Sequence, residues 1–511
     1  MKLKKLEVFS KEELELIHSS SIQLLEDIGI KVDSEKVKKL LINNGAILNK
    51  ENPDFIKIPE EIITESLKLV PKSFKLFGPD GNFNFEVNLE STIFATIGTP
   101  VKIYDPENKK QVRKSLLKDT INQIRIVDSL KNIVCSHVDV WPNDIQYTAI
   151  HGHCIYQWAK NTRKPYGLGC YGRVASKDMM VLTSIIVGGE EELKKKPRLV
   201  GFFNPTSPLH LPKIMTNGFE IFAKYNQPTI IAPEALAGSS APVTLSGLLT
   251  QTNAEILASI VLSQSFNPGA PVFFGTVSHV MDMLSGNSAL GSAETGLITA
   301  GIAQLARYYR VPSRGPGAVT DSKCFDIQNG IERYQTLLLA AQAGINYITC
   351  AGTYEATLVE SLELLVIDDE LVEMINRILE GIVIDEDSIG LDIIKKVATS
   401  QTPGMTFLSE KHTRKYMKRD LFIPIHKLFD RHRRTTWKKL GGKDILEIAR
   451  EKVVQMLNSH KGYELSPAIE TELLTRIKEI EKRDLNYYME KEGIKTGKTS
   501  LPGLNLDMEK R

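Results

Sequence analysis

Ile345-Asn-Tyr-Ile-Thr-Cys-Ala-Gly-Thr-Tyr354 is a short apolar run that ends in a Gly/polar break. Its meaning comes from repetition. Working back along the chain, runs of the same kind lie at Val311 to Thr320, Val272 to His279, Thr229 to Gly238, Leu199 to Pro205, Tyr166 to Gly172, Ile133 to Pro142 and Thr92 to Pro100. Successive runs start roughly 30 to 45 residues apart, the length of a strand plus a crossover helix. The runs do not alternate strictly between apolar and polar residues, which suits strands buried on both faces. Eight such units predict a closed (β/α)8 or TIM barrel, an α/β fold with its chemistry at the C-terminal strand ends. An open doubly wound sheet shares the pattern, because sequence does not show whether strand one pairs with strand eight.

The chain of 511 residues divides into an N-terminal α+β cap over residues 1–90, the barrel over 91–385, and a mainly helical C-terminal extension over 386–511. Ser10 followed by Glu13 is a capping-box start to an amphipathic helix. Further helices are expected from Ser34 to Asn43 and from Pro59 to Leu69, and KSFKLFGPDGNFNFEVN has the alternation and Gly-Pro-Asp-Gly break of a hairpin.

Bulk composition narrows the class. With 42% hydrophobic and 25% charged residues the chain can bury a large core, and a net charge of +2 gives no reason to expect nucleic acid or a membrane surface as partner. Five cysteines without a CxxC pair indicate neither a disulfide framework nor a zinc knuckle, and no segment reaches the roughly 18 uninterrupted apolar residues of a membrane span. The N-terminus lacks an apolar signal core, so a reducing cytoplasm is expected.

The strand ends supply Thr99, Asp139, Trp141, Tyr171, Arg173, Phe203, Asn204, Glu234, Thr276, His279, Arg314, Asp321, Tyr354 and Glu355. Aromatic faces beside carboxylates can hold a cation that has no N–H to donate. Trp141, Tyr171, Phe203 and Tyr354 are therefore candidate cage walls, with Glu234 and Glu355 as counter-charges. His279, Arg173 and Arg314 are candidates to grip a carboxylate on the same ligand.

Other patterns carry less. His151-Gly-His153-Cys154 falls in an expected helix, where positions two apart point to nearly opposite faces, so no metal site is expected there. His137 reads as a hydrogen-bonded core histidine. Gly167, Gly169 and Gly172 spell GxGxxG, yet after two complete units, and read as close backbone approach at a barrel strand rather than a dinucleotide loop. Neither GxSxG nor GxxxxGK[ST] occurs.

Several stretches resemble the trimethylamine methyltransferase family: Ile17 to Val32, Ile58-Pro59, Ala237 to Thr244, Asn253-Ala-Glu255, Pro268 to Pro271, and above all Thr320-Asp-Ser-Lys-Cys-Phe-Asp-Ile-Gln328 with Glu332. Ala351-Gly352, Val366 to Glu370 and Glu410-Lys-His-Thr413 extend the likeness, which spans about residues 15–415. The resemblance implies a (β/α)8 barrel that passes a methyl group from an amine to the Co(I) of a cobamide held by a separate corrinoid protein, with no cofactor or metal in this chain itself. Homo-oligomers are also expected.

Trimethylamine enzymes of the family carry pyrrolysine near strands seven and eight, whereas this chain has only the standard twenty residues. Trimethylamine would leave as an amide anion and needs an electrophile; a quaternary amine leaves as a neutral tertiary amine and needs none. The pyrrolysine-free branch therefore implies a quaternary amine, glycine betaine first, with proline betaine, carnitine or another methylamine as alternatives. No catalytic acid or base is required. Two other classes stay open at this point: a barrel lyase or transferase for a small anionic substrate, and a non-catalytic relative that docks a corrinoid protein.

Overall fold

The computed structural model describes residues 3–96, 100–105, 107, 112–138 and 140–494. Eight strands close a parallel barrel: β1 (Ile93–Ala95), β2 (Ile133–His137), β3 (Tyr166–Gly169), β4 (Leu199–Phe203), β5 (Thr229–Ile231), β6 (Val272–Gly275), β7 (Ser313–Pro316) and β8 (Tyr347–Thr349). Closure is made by β8 against β1, with Tyr347 opposite Ile93 and Ile348 opposite Phe94. The open-sheet alternative is thereby excluded. Every strand is shorter than the apolar run that announced it; in runs such as Thr229 to Gly238 and Val272 to His279 the C-terminal part leaves the ladder.

Alternation within these short strands decides what faces inward. Val200 belongs to the interior layer with Cys135, Ile230, Phe273 and Tyr347, whereas Leu199 and Phe203 pack outward against the helices. Those helices form the outer ring. Leu245–Phe266 is long and apolar enough to cross a membrane, yet it is mostly buried within this layer.

The cap follows its sequence signals closely. Ser10 Oγ accepts from the Glu13 N–H (3.2 Å) while Glu13 Oε2 accepts from the Ser10 N–H (2.7 Å), capping helix Lys11–Asp27. Ser34 caps Glu35–Asn43, and Glu60–Leu69 follows Pro59. Hairpin strands Ser73–Phe77 and Asn84–Asn88 pair antiparallel and plug the N-terminal end of the barrel, where Phe74 meets Phe273 edge-on at 5.1 Å.

The family-like stretches are largely structural. Asn253 donates to Ser21 Oγ and to Tyr309 Oη (2.9 Å each), tying the cap to the barrel. Asp369 accepts from the Asn132 and Ile133 N–H groups (2.7 and 3.1 Å) and pairs with His426 (2.8 Å). Glu370 accepts from the N–H groups of His426, Leu428 and Phe429, so the two acids fasten the C-terminal extension to the barrel wall.

Candidate functional site

A cavity of about 210 Å³ opens at the C-terminal mouth of the barrel. Gly167 and Gly169 make the space. A Cβ on Gly167 would sit 1.7 Å from His137 Nδ1, and one on Gly169 would sit 2.2 Å from the Tyr171 ring. These two glycines of the apparent GxGxxG thus make room for side chains at the barrel mouth, while a Cβ on Gly172 would meet Glu492 Oε1 at 2.8 Å.

Of the residues expected at the site, Tyr171, Glu234, His279 and Arg314 line this cavity. Arg314 projects inward from β7 and is 1% exposed. Its guanidinium donates to Thr276 O (2.6 Å) and to Thr349 Oγ1, and it lies over the Phe202 ring at 5.2 Å. Its Nε has no partner, and no carboxylate bridges it among the described residues. Burial lowers its pKa, the price of a guanidinium held by neutral acceptors.

Glu234 follows β5. It keeps solvent contact through the cavity, yet protein surrounds it closely enough that desolvation raises its pKa, against the opposing pull of His279 and Arg314. His279 is committed on both ring nitrogens. Nδ1–H donates to Val277 O (2.8 Å), and Nε2 is hydrogen-bonded to Ser288 Oγ (2.5 Å). It therefore offers ring surface, and the grip on an anion falls to Arg314.

His137, the expected core histidine, bonds Tyr347 Oη through Nε2 (2.8 Å) and also lines the cavity. Burial, aided by the Arg314 charge, brings its pKa down to about 3, so it is neutral. His151 and His153 point apart, to Asp178 (3.2 Å) and Glu481 (2.9 Å).

The remaining expected residues lie elsewhere. Phe203 is fully buried outside the barrel, stacked on Phe219 at 4.4 Å; its neighbour Phe202 faces the cavity instead, a consequence of strand alternation. Arg173 is paired with Glu220 (2.8 Å) and Asn217 (3.2 Å) at the start of helix Gly172–Val187. Tyr354 sits past the end of β8, in a small sheet strand Thr353–Tyr354, and packs on Phe325 at 5.3 Å. Trp141 stands behind Tyr171, its ring 5.6 Å away and edge-on. Among the other strand-end residues, Asn204 lines the cavity, while Thr99 and Asp139 lie outside the described residues.

Glu355 opens a turn in which Glu355, Ala356 and Thr357 all adopt left-handed backbone (φ 52, 50 and 66°), a conformation costly for residues with a Cβ. The Thr320–Gln328 stretch holds that turn in place. Ser322 O accepts from the Glu355 N–H (3.1 Å) and Thr320 O from the Ala356 N–H (2.9 Å). Glu332 accepts from Thr320 Oγ1 (2.7 Å) and the Asp321 N–H (2.8 Å), and the buried Arg333–Asp368 pair (2.7 Å) ties in Gly352 through its N–H (2.7 Å). Ala356 and Thr357 thereby wall the cavity, a role no strand-end reading could assign.

Residues 1–484 match the family model described as trimethylamine methyltransferase (MTTB). The chain is 33% identical over 440 residues to a glycine betaine methyltransferase of Desulfitobacterium hafniense, covering 86% of this chain and 89% of that protein. It is 33% identical over 463 residues to the trimethylamine methyltransferase MttB of Methanosarcina barkeri, covering 89% and 91%. A crystal structure of the hydroxylamine MtmB complex aligns over 89% of this chain and 96% of that one at 10% identity and a TM-score of 0.43, a likeness too loose to inform the site. The chain belongs to the trimethylamine methyltransferase family and is a methyltransferase.

Proposed function

We propose that this protein moves a methyl group from a quaternary amine that also bears a carboxylate, glycine betaine first, to the Co(I) of a cobamide presented by a separate corrinoid protein. The observation that carries the reading is the presence in one small cavity of two opposite charges that no ion pair joins: the buried Arg314 guanidinium, which no carboxylate bridges among the described residues, and Glu234, with the Tyr171 and Phe202 rings lining the same space. A zwitterion answers both. Its carboxylate would satisfy Arg314, and its trimethylammonium group would lie near Glu234 and the aromatic faces.

The reaction is in-line displacement: the Co(I) electron pair forms the bond to carbon, the C–N bond breaks, and its pair stays on nitrogen. The neutral tertiary amine leaves without a proton from the enzyme. This fits a site in which His137 is neutral and His279 is already bonded on both nitrogens. The side chains bind and orient the substrate in a confined space, and that placement supplies the rate. Because positive charge on nitrogen fades in the transition state, too strong a cage would stabilise the ground state more. Glu234 is the one carboxylate among the described residues lining the cavity, which keeps that grip moderate.

The test mixes the protein with a reduced corrinoid protein and a panel of amines and follows the loss of the Co(I) spectrum. Loss with betaines and none with carboxylate-free quaternary amines is expected. Equal rates for glycine betaine and tetramethylammonium would remove the role of Arg314.

A further inference from the structure

Behind Tyr171 and Met215, which form a wall common to both, lies a second cavity of about 90 Å³. It is built differently from the first. Trp141, Tyr147, Tyr171 and Tyr488 supply rings around it, with Trp141 at 5.7 Å from Tyr147 and 5.6 Å from Tyr171. Helix Leu485–Glu492 forms its roof, and the Tyr488 hydroxyl donates to Thr148 O (2.9 Å), which fixes that ring in position. The roof begins just past residue 484, where the match to the family model ends.

Glu492 adds a negative charge to this aromatic box. It is 6% exposed and accepts from the Val174 N–H (2.9 Å) and from Asn217 Nδ2 (2.7 Å), both neutral donors, and it has no ion pair among the described residues. Nearby, Asp178 is bonded to His151 (3.2 Å) and to Arg483 (2.7 Å), Arg173 is paired with Glu220 (2.8 Å), and Lys213 donates to Gly493 O (2.7 Å). Ring faces with an adjacent uncompensated carboxylate favour a cation that needs no hydrogen bonds.

We infer that this box is a second subsite for a quaternary ammonium group, a staging position separated from the Glu234–Arg314 cavity by the Tyr171–Met215 wall. The inference rests on the proposed quaternary-amine reading of the main cavity, and its test separates the two. Tetramethylammonium is titrated calorimetrically into the full-length protein and into the Glu234→Gln, Tyr488→Leu and Tyr147→Leu variants. Tyr147 is 42% exposed, so its replacement leaves the fold intact even if loss of the Tyr488 hydrogen bond does not.

Two binding events are expected in the unaltered protein. One survives Glu234→Gln. That same event weakens about tenfold or more in the tyrosine variants, the scale of a desolvated cation–ring contact. A single event, abolished by Glu234→Gln and indifferent to both tyrosine variants, overturns the second subsite and leaves the main reading standing. A single event lost in the tyrosine variants but unaffected by Glu234→Gln supports the subsite and overturns the placement of the cation at Glu234. No binding at all overturns both.

Discussion

Replacing Arg314 with methionine separates its two consequences, one for binding and one for stability. In the free protein the guanidinium is 1% exposed, held by Thr276 O at 2.6 Å and Thr349 Oγ1, and its Nε is unpartnered. Removing a buried charge that lacks an ionic partner relieves a desolvation cost, so the thermal midpoint of Arg314→Met should hold or rise. Binding should move the other way. Truncating one side of a buried, hydrogen-bonded charge pair costs about 2–5 kcal/mol, so glycine betaine affinity should fall roughly 30-fold to several thousand-fold. Tetramethylammonium, which has no carboxylate, should bind as before. Calorimetric titration of both ligands with a thermal melt of the same samples decides the matter. An unchanged glycine betaine affinity, or an equal loss for both ligands, would refute the assignment of Arg314 to the carboxylate.

Further outcomes follow from other residues. Phe203→Ala should cost about 3–5 kcal/mol of stability with betaine affinity intact, because Phe203 packs on Phe219 outside the barrel, whereas Phe202→Leu should weaken binding; denaturant midpoints and titrations check both. Burial raises the Glu234 pKa, so its carboxylate is lost from the site as pH falls through that raised value, and quaternary-ammonium affinity should decline in step; Glu234→Gln should flatten the profile. Glu255, enclosed by Ser207, Leu209 and Gln251, is pushed up from 4.5 to about 7, so the native state holds a proton that the unfolded chain releases between those values. The stability it contributes is full below pH 4.5 and is lost as pH rises to 7, about 3 kcal/mol in all, and Glu255→Gln should abolish that slope in urea melts. Arg333→Met leaves Asp368 buried without its partner and should destabilise by about 3–5 kcal/mol, read from the same melts.

The barrel was legible because its signal is repeated: each apolar run is long enough to contain a strand, and the spacing leaves room for a helix. The site was only half legible, for reasons of register and distance. A run such as Leu199 to Pro205 does not reveal which residues face inward, and a shift of one position exchanges Phe203 for Phe202. The run from Ile345 to Tyr354 continues past the ladder, which ends at Thr349; Cys350 and Gly352 then turn the backbone through positive φ (82 and 87°) and carry Tyr354 into another sheet. Arg173 was legible as a cation near the mouth, but its partner Glu220 lies on a different helix, and sequence does not show the pairing. Arg314 and Glu234 were legible as a cation and an acid belonging to strand-end runs, Arg314 lying within β7 and Glu234 just past β5, and both line the cavity. Glu492 could not be reached by reading strand ends, since its helix folds back over the barrel from the far end of the chain.

Methyl transfer from a carboxylated quaternary amine is tested most directly by a single turnover with methyl-labelled glycine betaine. One equivalent of label on the corrinoid protein's cobalt, matched by one equivalent of dimethylglycine, is the expected result. Label transferred from trimethylamine, with none from glycine betaine, would contradict it.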